Sequence, residues 1–237
     1  MRFRRYLKER RNNEITGSEF VKRYVKNGRI LPNSVKIIYD SLDLSYINIT
    51  KIENIPDSVE NLDLNNNNIT KIENLPNSIE NLYLENNNIK KIENLPNSLD
   101  NLYLNKNNIS KIENLPNSLG DVFLSSNNIS KIENIPDSVK YLELNNNNIS
   151  KIENLPNSVK HLALENNNIK KIENIPNSIY SLYLYANPVY AEIEDLSMKE
   201  LIKLTIEEHD YKTERNKSLF EARTKRELIS ILESQKL

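Results

Sequence analysis

The chain has 237 residues, with 32 Lys and Arg against 33 Asp and Glu, and no cysteine. The near balance of charge gives no global field that would select a strongly acidic or basic partner. Missing thiols exclude disulfides, thiolate metal sites and cysteine nucleophiles, and three glycines are too few for a phosphate-cradling loop.

Residues 1–30 read as a basic tail followed by a capping helix. They carry ten Lys or Arg and three Glu. Arg2, Arg4, Arg5, Lys8, Arg10 and Arg11, with Phe3 and Tyr6 between them, could touch nucleic acid or an acidic membrane surface. No apolar stretch follows the basic cluster, so a secretory leader is not expected. Nor does any segment approach the roughly 18–20 apolar residues of a membrane span. A reducing, cytoplasmic location is therefore anticipated. Thr16-Gly17-Ser18-Glu19 fits a capping box, and Phe20, Val21, Tyr24 and Val25 follow at helical spacing, with Gly28 as the stop.

Residues 31–189 are a repeat array. The Leu/Ile-Pro pair recurs at Ile55-Pro56, Leu75-Pro76, Leu95-Pro96, Leu115-Pro116, Ile135-Pro136, Leu155-Pro156 and Ile175-Pro176, always 20 residues apart. An earlier copy at Leu31-Pro32 has four extra residues before its strand. A fixed short period means a solenoid, because one coil can bury its apolar side only against its neighbours. In Asn101-Leu102-Tyr103-Leu104-Asn105 the residues alternate as a strand with one buried face requires. Leu102 and Leu104 point inward, joined by Leu99, Ile109, Ile112 and Leu115. Eight parallel strands centred on residues 43, 63, 83, 103, 123, 143, 163 and 183 are predicted. Twenty residues leave no room for a crossover helix, so the return segment should be extended, which suits a Pro in every copy.

The string L-P-x-x-L-x-x-L-x-L-x-x-N-x-I-x-x-I, carried by Leu95 to Ile112, resembles the leucine-rich repeat. Its length and its LP start are similar to the short repeats of secreted bacterial effectors, and related repeats occur in slime moulds and large DNA viruses. The resemblance implies an α/β solenoid with a right-handed superhelix, a parallel concave sheet, an extended convex side and helical caps at both ends. It also implies binding of a protein partner through the concave sheet, without a cofactor. Some effectors of this kind carry a ubiquitin ligase domain that needs a cysteine, which this chain lacks.

Within the array, Asn67, Asn87, Asn107, Asn127, Asn147, Asn167 and Asn187 form a column expected to satisfy backbone groups of adjacent turns. The first unit has Ile47 instead, which suggests a capping or irregular turn. Rows Lys51 to Lys171 and Glu53 to Glu173 are expected to be a solvated outer surface. Ser58 to Ser178 are read as turn residues bonding local backbone.

The copies differ mainly at outward strand positions. A concave aromatic centre of Tyr83, Tyr103, Phe123 and Tyr141 is predicted, with an acidic rim of Asp63, Glu85, Asp121, Glu143 and Glu165. His161, Tyr183 and Tyr185 complete the candidate partner-binding set. Exposed aromatic clusters rimmed by polar groups suit protein recognition, although cross-strand stacking in a strand could also account for them. The two histidines, His161 and His209, have no paired nucleophile or metal-ligand spacing, so no catalytic or metal-binding residue is assigned. A monomer is expected. The other reading of function is a nucleic-acid or acidic membrane-surface binder acting through residues 1–30.

Residues 190–237 read as a C-terminal helical cap. Ala186-Asn187-Pro188 is similar to the ending of many leucine-rich-repeat domains. Ser197 to Glu200 offers a capping box for a helix carrying Leu201, Ile202 and Leu204, and Thr224 to Glu227 repeats the device ahead of Leu228, Ile231 and Leu232.

Overall fold

A computed structural model of the chain describes residues 22–23, 25–30, 40–171 and 174–189. The basic cluster at residues 2–11, the capping box at Thr16 and both expected C-terminal helices lie outside the described residues.

Eight three-residue strands form one parallel sheet in strict chain order. They are β3 (Ser41–Asp43), β4 (Asn61–Asp63), β5 (Asn81–Tyr83), β6 (Asn101–Tyr103), β7 (Asp121–Phe123), β8 (Tyr141–Glu143), β9 (His161–Ala163) and β10 (Ser181–Tyr183). Each residue pairs with the one twenty positions on, as in Leu82 with Leu102 and Tyr83 with Tyr103. The strands centre one residue earlier than the sequence suggests, but the ladder runs past them. Leu84 N donates to Tyr103 O at 2.8 Å and Asn86 N donates to Asn105 O at 2.9 Å. Between strands the chain returns without helix, turning at each Pro, where Leu99 N donates to Pro96 O at 3.4 Å.

The core is a continuous aliphatic column inside the coils. Leu82, Leu84, Ile89, Ile92, Leu99, Leu102, Leu104, Ile109 and Ile112 are all fully buried. At the corner, Leu75, Leu95 and Leu115 are only partly buried and pack against this column. Burial of this kind stabilises each coil only in company, since every aliphatic side chain meets its counterparts above and below.

Polar groups inside the coil are met by asparagine. Asn107 Oδ1 accepts from Ile89 N at 2.9 Å, and its Nδ2 donates to Leu84 O at 2.9 Å and to Leu104 O at 3.1 Å. Leu104 O also receives Asn127 Nδ2 at 3.0 Å, so each inward carbonyl is shared by two rungs. The pattern runs from Asn67 to Asn187. At the first coil, where Ile47 replaces Asn, Asn48 adopts a left-handed φ of 61° that no other coil shows at this position.

A second asparagine column supports the opposite side. Asn54, Asn74, Asn94, Asn114, Asn134, Asn154 and Asn174 all have φ between 53° and 59°. Asn tolerates this left-handed region better than other residues with a Cβ, because its short amide can bond locally or nearby. Asn94 Nδ2 donates to Ile72 O at 3.1 Å and Asn114 Nδ2 to Ile92 O at 3.1 Å, tying each corner to the previous coil. The serine column behaves similarly, which corrects the expectation of local bonding. Ser78 Oγ donates to Val59 O and Ser98 Oγ to Ile79 O, both at 2.6 Å and both one coil away. Ser118 and Ser178 do the same, to Leu99 O and Val159 O, whereas the buried Ser138 and Ser158 hydroxyls have no hydrogen-bond partner among the described residues.

Among the described residues of the expected N-terminal helix, Lys22 and Arg23 are helical, whereas Val25 lies in a strand. Strands β1 (Val25–Lys26) and β2 (Arg29–Ile30) pair antiparallel. Asn27 and Gly28 between them have φ of 52° and 71°, the positive pair that a type I′ hairpin turn requires. At Val25 this Asn-Gly signal outweighs the helical spacing. Ile30 is buried against the first coil, Thr50 N donates to Gly28 O at 3.1 Å, and Asn54 Nδ2 donates to Ile30 O at 2.7 Å. Arg29 reaches Glu53 with two bonds of 2.7 and 2.9 Å, which hold that carboxyl below its usual range. At the other end Pro188 and Val189 begin a helical turn, and Val189 is buried. No helix among the described residues is long and apolar enough to cross a membrane.

Candidate functional site on the open sheet face

Strand alternation puts two side chains per coil on the outer face of the sheet while the Leu or Val between them fills the core. Along β4 to β8 the burial pattern is half-buried, buried, half-buried. A third outward residue follows each strand, at positions such as Glu85 and Glu165. All twelve candidate partner-binding residues lie in these three columns. Asp121, Tyr141 and His161 occupy the first, Asp63, Tyr83, Tyr103, Phe123, Glu143 and Tyr183 the second, and Glu85, Glu165 and Tyr185 the third.

The structure brings the rings into one continuous run. Tyr83 and Tyr103 stack at 4.5 Å between centroids with 14° between planes, and Tyr103 and Phe123 at 4.4 Å and 7°. These are register partners on adjacent strands, and a strand spacing of about 4.8 Å sets the ring spacing directly. Beyond Phe123 the partner across the ladder is Glu143, and the run steps diagonally to Tyr141 at 5.1 Å, within the reach of aromatic side chains on a shared face. It continues to His161 at 5.7 Å and meets Tyr180 edge-on, 6.2 Å away. Lys160 Nζ sits 5.3 Å from the Tyr180 ring centre. Tyr183 stands outside the run and is 46% exposed.

Tyr180 was not among the residues expected here. It directly precedes its strand, where simple alternation would turn it away from the face. The local turn instead swings this position beside the first outward column. Its signal was an aromatic residue in a column otherwise made of charged residues and one glycine, Asp40, Glu60, Glu80, Asp100, Gly120, Lys140 and Lys160.

Hydrogen bonds fix the polar groups around the rings. Glu85 Oε1 accepts from Asn105 Nδ2 at 2.7 Å, and Asn105 Oδ1 accepts from Ser125 N at 2.7 Å. Ser125 Oγ in turn donates to Glu143 Oε1 at 2.6 Å. Asn81 Nδ2 donates to Asn61 Oδ1, and Asn101 Nδ2 to Asn81 Oδ1, making an amide row beside the rings. Burial raises the Asp63 carboxyl above its ordinary value, and Asp43 and Glu85 push it the same way. Asp121 is raised by burial and by Asp100, against the pull of Lys140 and His161. The Tyr103 and Tyr141 hydroxyls are also raised, first by burial.

Such a surface offers ring edges, hydroxyls and fixed carboxylates. Its first histidine is packed between aromatic rings. Among the described residues no three His, Asp or Glu side chains are grouped to hold a metal ion.

Residues 127–167, two of the coils, match the FNIP Repeat family. No curated protein matches the chain significantly. Among solved structures, the leucine-rich-repeat domain of a Shigella effector superposes with a TM-score of 0.58 at 25% identity, covering 73% of this chain and 78% of that one. YopM from Yersinia enterocolitica WA-314 gives 0.58 at 24% identity over 62% of this chain, which spans only 33% of YopM. CroV588, a circular leucine-rich-repeat protein, gives 0.52 at 31% identity over 62% of this chain and 28% of its own length. With the same 20-residue coil throughout, the chain has the leucine-rich-repeat fold of these structures.

Proposed function

We propose that this chain binds another protein through the concave face of its sheet and carries out no catalysis. The observation that carries this reading is the six-ring run from Tyr83 to Tyr180, lying across the outer sheet face between hydrogen-bonded acids and amides. Core, corner and asparagine columns stay nearly constant from coil to coil, whereas this face changes at every strand. Aromatic side chains bring large, stiff contact area to an interface and concentrate its binding energy. The likeness to the leucine-rich-repeat domain of a Shigella effector supports the reading by analogy. A right-handed winding, as parallel crossovers favour, helical caps beyond the described residues, a monomeric state and a reducing compartment belong to the same proposal.

The test replaces Tyr83, Tyr103 and Phe123 together with Ser. Partners recovered by the tagged full chain and identified by quantitative mass spectrometry should be lost from the variant, while its circular dichroism and melting curve stay close to those of the parent. Undiminished recovery removes this face from consideration. Collapse of the fold instead shows that the rings serve the sheet itself.

A further inference from the structure

The open face is electrostatically lopsided along the stack. Across β3 to β6 and the residues flanking them, the outward columns hold seven carboxylates and no lysine or arginine. Asp40, Glu60, Glu80 and Asp100 line the leading edge, one per strand. Asp43 and Asp63 occupy the central column, and Glu85 follows β5. From β7 to β9 the same columns alternate in sign, with Lys140 and Lys160 set against Asp121, Glu143 and Glu165. The sign change falls at Gly120, where an added Cβ would lie 2.9 Å from Asp100 Oδ1.

Neighbouring strands stand about 4.8 Å apart, well inside a Debye length of about 10 Å at 0.1 M salt. The seven carboxylates therefore act together rather than singly. Arg29 and Lys51 instead meet Glu53 and Glu73 on another side of the coil. Burial raises the Asp63 carboxyl above its ordinary value, and the neighbouring Asp43 and Glu85 charges push it the same way. The ring run begins beside this stretch, since Asp63 is the register partner of Tyr83 and Tyr83 stacks on Tyr103 from the other side.

We infer that the acidic half of this face docks a basic, extended segment of a protein partner, its Arg or Lys side chains set over Asp43, Asp63, Glu80 and Asp100 and one of them laid on the outer ring face of Tyr83. This rests on the concave-face reading above and specifies its partner. Arginine satisfies both requirements at once, since its planar group bonds carboxylates and lies flat on an aromatic ring. The four strands span about 14 Å, which four to five extended residues cover at roughly 3.3 Å each. A nucleic acid, whose phosphates would face seven carboxylates, is disfavoured on this surface.

The probe is a fluorescein-labelled peptide of alternating Arg and Ser, about eight residues long, with its Glu-Ser counterpart and a single-stranded oligonucleotide beside it. Binding to the full chain is read by anisotropy at about 0.15 M salt. The Arg peptide should bind at least about tenfold more tightly than either of the others. D43N/D63N/E80Q/D100N should weaken it about tenfold or more, whereas E93Q/E113Q/E133Q/E153Q, removing equal charge from the Glu row behind the sheet, should change it less than about twofold. Equal loss in both variants means diffuse attraction and overturns the inference, as does tighter binding of the oligonucleotide or the Glu peptide. If Y83S/Y103S/F123S abolishes binding of the Arg peptide and the four-carboxylate variant does not, the concave-face reading stands and this one falls. If neither variant affects binding, both fall.

Discussion

Replacing Asn107 with Ala removes one rung of the inner asparagine column and isolates what that column does. Asn107 Oδ1 is the acceptor for Ile89 N, and its Nδ2 donates to Leu84 O and Leu104 O. The two carbonyls keep a second donor, Asn87 at 3.2 Å for Leu84 O and Asn127 at 3.0 Å for Leu104 O. The buried Ile89 amide has no such substitute. One orphaned buried donor costs about 1–3 kcal/mol, and thinning the two carbonyls adds about 0.5–1.5 kcal/mol each, so a loss of about 3 kcal/mol is expected. At about 2–4 °C per kcal/mol for a domain of this size, the Tm should fall by roughly 6–12 °C. Asn108→Ala is the control, because Asn108 is exposed and its bond to Ile89 O is made by its backbone N at 2.8 Å. Urea unfolding followed by circular dichroism measures both. If Asn107→Ala costs no more than Asn108→Ala, the column does not hold the coils together in the way the bonds imply.

Two further substitutions probe other levels of the structure. Gly28→Ala would place a Cβ 2.3 Å from Asn48 O at a φ of 71°, so the N-terminal hairpin should detach. The Thr50 amide, bonded to Gly28 O, should then lose hydrogen-exchange protection while the Ile89 amide keeps it, and unchanged protection at Thr50 would refute the docking. Asp63→Asn keeps an oxygen for the Asn65 amide, at 2.8 Å in the parent, and removes the charge. Since the folded chain holds the Asp63 proton more tightly than the ordinary value of 3.8, the ionised carboxylate costs stability at neutral pH. That cost fades as pH falls through the raised value and is gone below 3.8. The variant should therefore be the more stable protein at about pH 7 and indistinguishable at about pH 3, and destabilisation at neutral pH would contradict the assigned cause.

The array was legible because each coil repeats the same physical problem. An alternating Asn-Leu-Tyr-Leu-Asn stretch, a Pro corner and aliphatic spacing together leave one solution, and the register of twenty follows from the period alone. Details that depend on which neighbour answers a polar group were less visible. The serines were given local acceptors, since sequence shows the turn but not the carbonyl of the coil beneath. The asparagine of Lys-Ile-Glu-Asn recurs at every corner, and that invariance is the trace of a left-handed backbone. At the N-terminus, Val25 fitted helical spacing and strand pairing equally well, and only the Asn-Gly pair told them apart. On the open face, the columns were readable from alternation, but the diagonal step from Phe123 to Tyr141 and the contribution of Tyr180 depend on side-chain directions that a period does not encode.

Each coil meets the next through partners at constant offsets, 18 residues for an Ile amide and Asn, 22 for a corner Asn and Ile carbonyl, 23 for an inner Asn and Leu carbonyl. A gene losing one whole unit, residues 91–110, would rejoin equivalent surfaces, with Asn127 inheriting the bonds of Asn107. The backbone would scarcely register the deletion. The recognition pattern would, because Tyr83 would then abut Phe123 and one edge acid, Asp100, would vanish. Length can thus drift by duplication and excision at little energetic penalty, while each such event redraws what the molecule can grip.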